Sequence, residues 1–397
     1  MLRFASALSD MSATAEAVDE VCSVAAAQLD ARADLAVCFA SHHHGPDFAP
    51  LLAAIDERLR PKTLIGCTGE AIVGTGREIE EQPALSLWLA RLPGVNVRPM
   101  HLEFERTADG GTFTGWPEDL PSTWPAGSAL IMLADPFTFP ADALLERLDE
   151  AQPGIPVLGG MASGAAAPGE NRIFLGGDAF DSGAVAILVD GDITVRSIVS
   201  QGCRPIGHPM VVTRAEQNVI FELGGRPAMT QLQELFDTLD PRDQQLVQRG
   251  LNVGLVINEY QDRFARGDFL VRNCVGADRK TGAIAVGDFV RTGQTVQFHV
   301  RDAASADEDL RELLGAVDPP ADKHALGSLL FTCNGRGTRM FPEADHDARC
   351  LERRLGKIPT AGFFAQGEIG PVGGRNFLHG FTASIALFSA RDTPSDR

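Results

Sequence analysis

The residues best suited to chemistry sit in three glycine-bearing turns and one arginine-bearing loop. The turns read Gly66-Cys67-Thr68-Gly69-Glu70, Gly159-Gly160-Met161-Ala162-Ser163-Gly164 and Gly362-Phe363-Phe364-Ala365-Gln366-Gly367-Glu368. Two of them place a carboxylate directly after a glycine, at the end of an apolar run. Glycine there lets the backbone approach a ligand, and exposed amides can hold an anion. Taken singly, each glutamate reads more simply as a cap on a tight turn. Their recurrence at what look like equivalent places points to a ligand. The loop Cys333-Asn334-Gly335-Arg336-Gly337 follows another apolar run, at a strand end of the kind where α/β proteins gather ligand contacts. Arg336 can fork onto a ligand carboxylate, as lysine cannot, or pair with a neighbour such as Glu368. His379 can donate to a ligand or bind metal, or sit as a satisfied structural residue. Cys67, Thr68, Glu70, Asn334, Arg336, Glu368 and His379 are therefore expected to line a ligand site. No catalytic residue and no metal ligand is assigned.

Two further constellations have competing readings. His42-His43-His44 follows an apolar run; consecutive side chains diverge, so a solvated loop competes with an axial haem contact. Cys333 or Cys67 with His379 makes a nucleophile pair in principle, against core packing of both thiols. Signatures of common enzymes are missing: there is no Gly-x-Ser-x-Gly, no phosphate loop, no His-Glu-x-x-His. Gly335-Arg336-Gly337 starts like a dinucleotide fingerprint but continues Thr-Arg-Met. The expectation is a binding protein, not an enzyme.

These turns are positioned by a unit written three times. Each copy has an apolar strand, an amphipathic helix, a second strand ending in glycines, and a hairpin. The first strands are Leu35 to Ala40, Ala129 to Ala134 and Ser328 to Cys333. The expected helices span Phe48 to Leu59, Pro140 to Glu150 and Glu343 to Gly356. First strand and glycine turn lie about 30 residues apart, the length of one strand–helix–strand unit. A further helix is expected over Ser12 to Leu29, where Val18, Val21, Cys22, Ala25 and Leu29 recur at helical spacing. Between copies two and three, Pro227 to Leu239 reads as a helix and Leu251 to Arg301 as a strand meander. Ser305 with Glu308 forms a capping box, and paired prolines around Asp318 to Asp322 end that helix. The fold class expected is α/β (α+β): mixed sheets covered by helices, built from repeated units, with two sheets able to stack. Domains are expected at 1–215 and 216–397.

Bulk properties agree. The 397 residues are 44% apolar and 22% charged, ordinary for a globular protein with sizeable cores. A net charge of −18 disfavours nucleic acid and anionic membrane. Seven cysteines, an odd number without a Cys-x-x-Cys pair, fit reduced thiols in the cytoplasm. No apolar run approaches the ~18 residues that a membrane span needs.

FTCNGRGTRMF (331–341), AGFFAQGEIGP (361–371), FLHGFT (377–382) and the meander resemble the C-terminal part of the FIST sensory domain. LIGCTGEAIVG and LGGMASG resemble its N-terminal part more softly. The resemblance covers residues 30 to 390. It implies an input module of bacterial signal transduction that senses small molecules, with amino acids suggested. Some FIST proteins bind haem and sense nitric oxide, so haem is the alternative to an expectation of no cofactor. Little chain lies outside the copies, so any signal is expected to pass to a separate partner, such as a histidine kinase or another output protein.

Overall fold

The computed structural model describes residues 1–107, 110–261, 263–316 and 325–391. All three expected copies form, and their strands pair alike. Leu35–Ser41 runs parallel to Thr63–Gly69, Ala129–Ala134 to Val157–Met161, and Gly327–Cys333 to Thr360–Ala365. On its other side each first strand takes an antiparallel hairpin strand: Leu85–Arg91, Ala184–Gly191 and Thr382–Ala390 respectively. The helices between the parallel strands are Ala49–Leu59, Ala141–Ala151 and His346–Leu355. Each supplies the crossover that a parallel pair requires.

After its glycine turn, each copy sends a short strand into a neighbouring copy's sheet. Ile72–Gly74 of copy one pairs with Thr360–Ala365 of copy three. Glu368–Val372 of copy three pairs with Val157–Met161 of copy two. Ile173–Leu175, following copy two, pairs with Thr63–Gly69 of copy one. The exchange closes a cycle, so no copy completes its sheet alone.

The result is the expected mixed sheets, three of them packed around one core. Val37, Phe39 and Ile65 meet Ile131, Leu133 and Val185, and Phe331, Phe363 and Ala386, in a single apolar cluster. Phe39 stacks on Phe363 with ring centres 5.1 Å apart and meets Phe331 edge-on at 6.3 Å. The alternate residues Ala36, Cys38 and Ala40 face outward, under Val18 and Val21 of the helix Thr14–Leu29 and Leu51 and Ile55 of Ala49–Leu59. Leu144, Leu145 and Leu148 cover the second sheet, and Ala348 and Leu351 the third. Both strand faces are thus buried, which is why these strands read as continuous apolar runs. Each fully buried Leu or Phe contributes ~1.5–3 kcal/mol.

The compact units do not follow the expected split at 215. One comprises residues 1–200, 310–378 and 382 onward; the other is Gln201–Asp309 with His379–Phe381. Copy three joins copies one and two because its sheet is completed by theirs. In the second unit the expected meander strands, Leu251–Val256, Phe269–Asp278, Ala283–Val286 and Thr295–Arg301, form with Val219–Leu223 a ring closed by Cys203–Glu216. Register shifts along Cys203–Glu216 bend it enough to pair on both sides. The helix Ala228–Thr238 is joined by Pro241–Arg249, which the sequence reading missed. The expected capping box gives way to Asp302: its carboxylate takes the Ala304 N–H and the Ser305 hydroxyl, so the helix starts at Ala303. The proline pair expected to end that helix lies outside the described residues.

Candidate functional site

Register decides which turn residues are equivalent. Gly66 faces Cys38, Gly159 faces Met132 and Gly362 faces Leu330, so these glycines correspond. The residue after each pairs with the exchanged strand: Cys67 with Ile173, Gly160 with Glu368, and Phe363 with Ile72. Glu368 therefore corresponds to Ile72 and Ile173. Glu70, two residues before Ile72, is not its counterpart, and the expected recurrence of a carboxylate is corrected. The repeat places isoleucine in this position twice and a carboxyl once.

Glu368 is fully buried. Its Oε2 accepts the Thr382 N–H at 3.0 Å and the Thr382 hydroxyl at 2.7 Å. No well-directed hydrogen bond reaches Oε1 from the described residues. Burial pushes the carboxyl up to about 8, against the pull of Thr382, the Cys333 thiol and the Arg336 charge. It is mostly a neutral acid at pH 7.

Arg336 is fully buried, and its partner is Asp347 rather than Glu368. Nε donates to Oδ2 at 2.7 Å and Nη2 to Oδ1 at 2.8 Å. The Thr332 hydroxyl adds a 2.5 Å bond to Oδ2, and His346 Nδ1 lies 2.8 Å from Oδ1. His346 stacks on Phe341 at 3.4 Å between ring centres, and the guanidinium lies over the same ring at 5.2 Å. Burial alone raises a carboxyl, yet Arg336 and His346 hold Asp347 below its usual range. Burial lowers His346, but Asp347 wins and raises it to about 10. Glu78 closes the cluster: burial and then Asp347 push its carboxyl up, against the Ala348 N–H donated to Oε1 at 2.8 Å. The fork expected to take a ligand carboxylate thus grips one of the chain's own.

Asn334 and Glu70 are linked by an arginine the sequence reading missed. Arg339 pairs both guanidinium nitrogens with the Glu70 carboxylate, and Nη1 also donates to the Asn334 carbonyl at 3.0 Å. The Glu70 N–H donates to Ser163 Oγ at 2.9 Å. Asn334 Oδ1 is buried without a hydrogen bond from the described residues. Thr68 Oγ1 accepts the Arg172 N–H at 3.0 Å, a structural tie between exchanged strands. Cys67 lies in the central core, where burial pushes its thiol well above the usual range. His379 is buried and groups with the second unit.

Of the histidine triplet, His42 and His43 stack on one another, and His44 is 3% exposed with Nε2 unpartnered among the described residues. Its Nδ1 lies 3.1 Å from the Thr14 hydroxyl.

The glycines serve the sheets rather than a ligand. A Cβ on Gly66, Gly159 or Gly362 would stand 1.8–1.9 Å from the carbonyl oxygen of Cys38, Met132 or Leu330. A hollow of about 290 Å³ opens between Gly154, Ser197, Pro371 and Asn376. None of the expected site residues lines it, and Asn376 uses its amide on Val157, Ile155 and Asp149. The sequence signal for the missed Asp347 was its place four residues before Leu351, on the buried stripe of its helix.

No helix among the described residues is long and apolar enough to cross a membrane. The chain is 47% identical over 354 residues to the uncharacterized protein Rv0628c of Mycobacterium tuberculosis, covering 89% of this chain and 91% of that one. It is 45% identical over 354 residues to the uncharacterized protein Mb0898c of Mycobacterium bovis, covering 89% and 90%. The FIST N domain profile matches residues 34–226 and the FIST C domain profile residues 228–371. With the cyclic exchange joining its N- and C-terminal copies, the chain belongs to the FIST family, whose domains are associated with sensory roles in signal transduction.

Proposed function

We propose that this chain is a cytoplasmic sensory protein that binds a small metabolite and signals through a separate partner. An amino acid is the first class of ligand to test, and a histidine kinase or other output protein the first class of partner. The observation that carries this reading is Glu368, a buried carboxyl with one uncommitted oxygen in a place the repeat fills twice with isoleucine. Because two donors of Arg336 are held by Asp347, recognition shifts to two buried polar atoms: Asn334 Oδ1 calls for a donor, and Glu368 Oε1, which bears the proton of the neutral acid, calls for an acceptor. An amide end of the ligand, with both N–H and carbonyl, offers both.

Thermal-shift screening of the full chain against amino acids, amines and carboxylates tests this. A ligand at a hundred times its Kd stabilises the folded state by about 2.7 kcal/mol. The expected result is a shift with a nitrogen-bearing ligand that is lost in Glu368→Gln. A folded protein that no ligand class stabilises overturns the reading. Haem is the competing ligand, and protein produced with a haem precursor reports it by a Soret band; a colourless preparation that takes up no added haem removes it.

A further inference from the structure

Where copy one meets copy three, the seam between their sheets is closed by a tryptophan and two hydroxyls. Trp88 is fully buried, and its Nε1 donates to the Pro359 carbonyl at 3.1 Å. Its strand partner Ser6 shares a 3.0 Å hydrogen bond with Thr75 Oγ1. The Thr360 N–H donates to both hydroxyl oxygens, at 3.1 and 3.0 Å. Thr75 also donates to the Ile358 carbonyl at 3.4 Å.

Register carries each of these residues to the seam where copy three meets copy two. Trp88 pairs with Val37 and Ala386 with Leu329, one residue before the matched Cys38 and Leu330. Alanine therefore stands where copy one has tryptophan, and copy two has Ile187 there. The Pro359 and Pro156 carbonyls correspond, accepting the N–H of Ser328 and Leu130 at 2.9 Å each. Thr75, three residues after Ile72, corresponds to Pro371, three after Glu368. A Cβ on Gly74 would meet Leu8, and one on Gly370 would meet Val199, so Ser6 and Ser197 correspond two residues earlier.

Pro156, Ile155, Pro371 and Ser197 are thus the counterparts of Pro359, Ile358, Thr75 and Ser6, and all four line the hollow of about 290 Å³. Pro371 has no hydroxyl to bond Ser197. The Val157 N–H, counterpart of the Thr360 N–H, goes to Asn376 Oδ1 instead. The hydrogen bonds that close the first seam have no equivalents in this one, and the ring that covers them is missing from residue 386.

We propose that this hollow binds a small planar aromatic of the indole class, taking the place that Trp88 fills in the first seam. The ligand N–H donates to the second lone pair of the Pro156 carbonyl, as Trp88 Nε1 does to Pro359. Its ring lies against Pro156 and Pro371. The volume stands at the lower end of the ~300–1,000 Å³ of ligand pockets, the size for one fused ring system. Neither Glu368 nor Asn334 lines the hollow, so this site stands apart from the ligand reading above.

The test titrates the full chain with free indole by calorimetry and ligand-observed NMR. One indole is expected per chain, with benzofuran, which keeps the shape but lacks the N–H, ~3–10-fold weaker. Ala386→Trp supplies the ring from the chain itself and is expected to abolish indole binding. A folded wild-type chain that takes up no indole at ~1 mM overturns the proposal. Benzofuran bound as tightly as indole overturns it too, as does undiminished indole binding by a folded Ala386→Trp protein. Should that variant not fold, Ser197→Trp closes the hollow from a half-buried strand position and is held to the same outcome.

Discussion

Glu368 pairs with Gly160 in the register in which Ile72 pairs with Phe363, so an acid fills a place built for an isoleucine side chain. Thr382 satisfies only one of its oxygens. Leaving a buried polar atom unmet costs on the order of 1–3 kcal/mol.

That burial makes stability pH-dependent. The folded-state pKa of about 8 lies above the unfolded value of about 4.3, so the neutral acid's contribution is complete below the lower value and lost as pH rises to the upper. Glu368→Gln keeps an acceptor for Thr382 and removes the titration. Relative to wild type it is expected to gain stability steadily from pH 5 to 8, at up to about 1.4 kcal/mol per unit, then level off. Urea melts at each pH measure this. Parallel curves for the two proteins across that range contradict the assignment.

Arg336 and Asp347 bind each other in full burial, so neither can lose its partner cheaply. Asp347→Ala, or Arg336→Ala, is expected to destabilise by about 3–5 kcal/mol, because an uncompensated charge stays in the core. The double variant is expected to lose less than the sum of the two. Denaturant midpoints of the three proteins close the cycle. Additive losses show that the pair is uncoupled, and an unaltered Arg336→Ala protein returns that arginine to the pool of ligand contacts.

The repeat was legible because each copy obeys the same two periods: apolar strands, then helical stripes such as Leu51, Leu52 and Ile55. Helix ends came within a few residues for the same reason. The exchange of strands was not legible. Ile72–Gly74 and Ile173–Leu175 are only three residues long and pair far from their own copies. Glu70 and Glu368 looked equivalent because both follow a glycine, whereas equivalence is set by pairing register, which spacing alone does not carry. Arg336 stood out by type, but its partner lies eleven residues on, across a short helical turn, and only the fold brings Asp347 beneath it. Among the expected residues, Cys67 belongs to the core because a strand buried on both faces leaves even its polarisable positions dry.

His346 is expected to be charged throughout the physiological range. Burial works against the cation, and the Asp347 carboxylate overcomes it. Because the folded pKa of about 10 exceeds the unfolded value of about 6.5, this interaction is fully present below the lower value and lost as pH climbs through the upper. Imidazole proton shifts followed by NMR should show no titration of His346 between pH 6 and 8. A midpoint near 6.5 contradicts it. His346→Gln should cost more stability at pH 6 than at pH 10.

Gly362 faces the sharpest steric limit in the third copy. A Cβ there would sit 1.8 Å from the Leu330 carbonyl oxygen and 2.8 Å from its carbon, both backbone atoms of the paired strand. No rotamer relieves that clash; the parallel pair must separate. Gly362→Ala is therefore expected to destabilise by ~3 kcal/mol or more. Gly154→Ala meets no atom within 4 Å but has φ near +80°, so its cost is the milder one of a left-handed backbone. Thermal melts of both variants separate the effects. A smaller loss at Gly362 than at Gly154 contradicts the register on which the comparison of Glu368 with Ile72 depends.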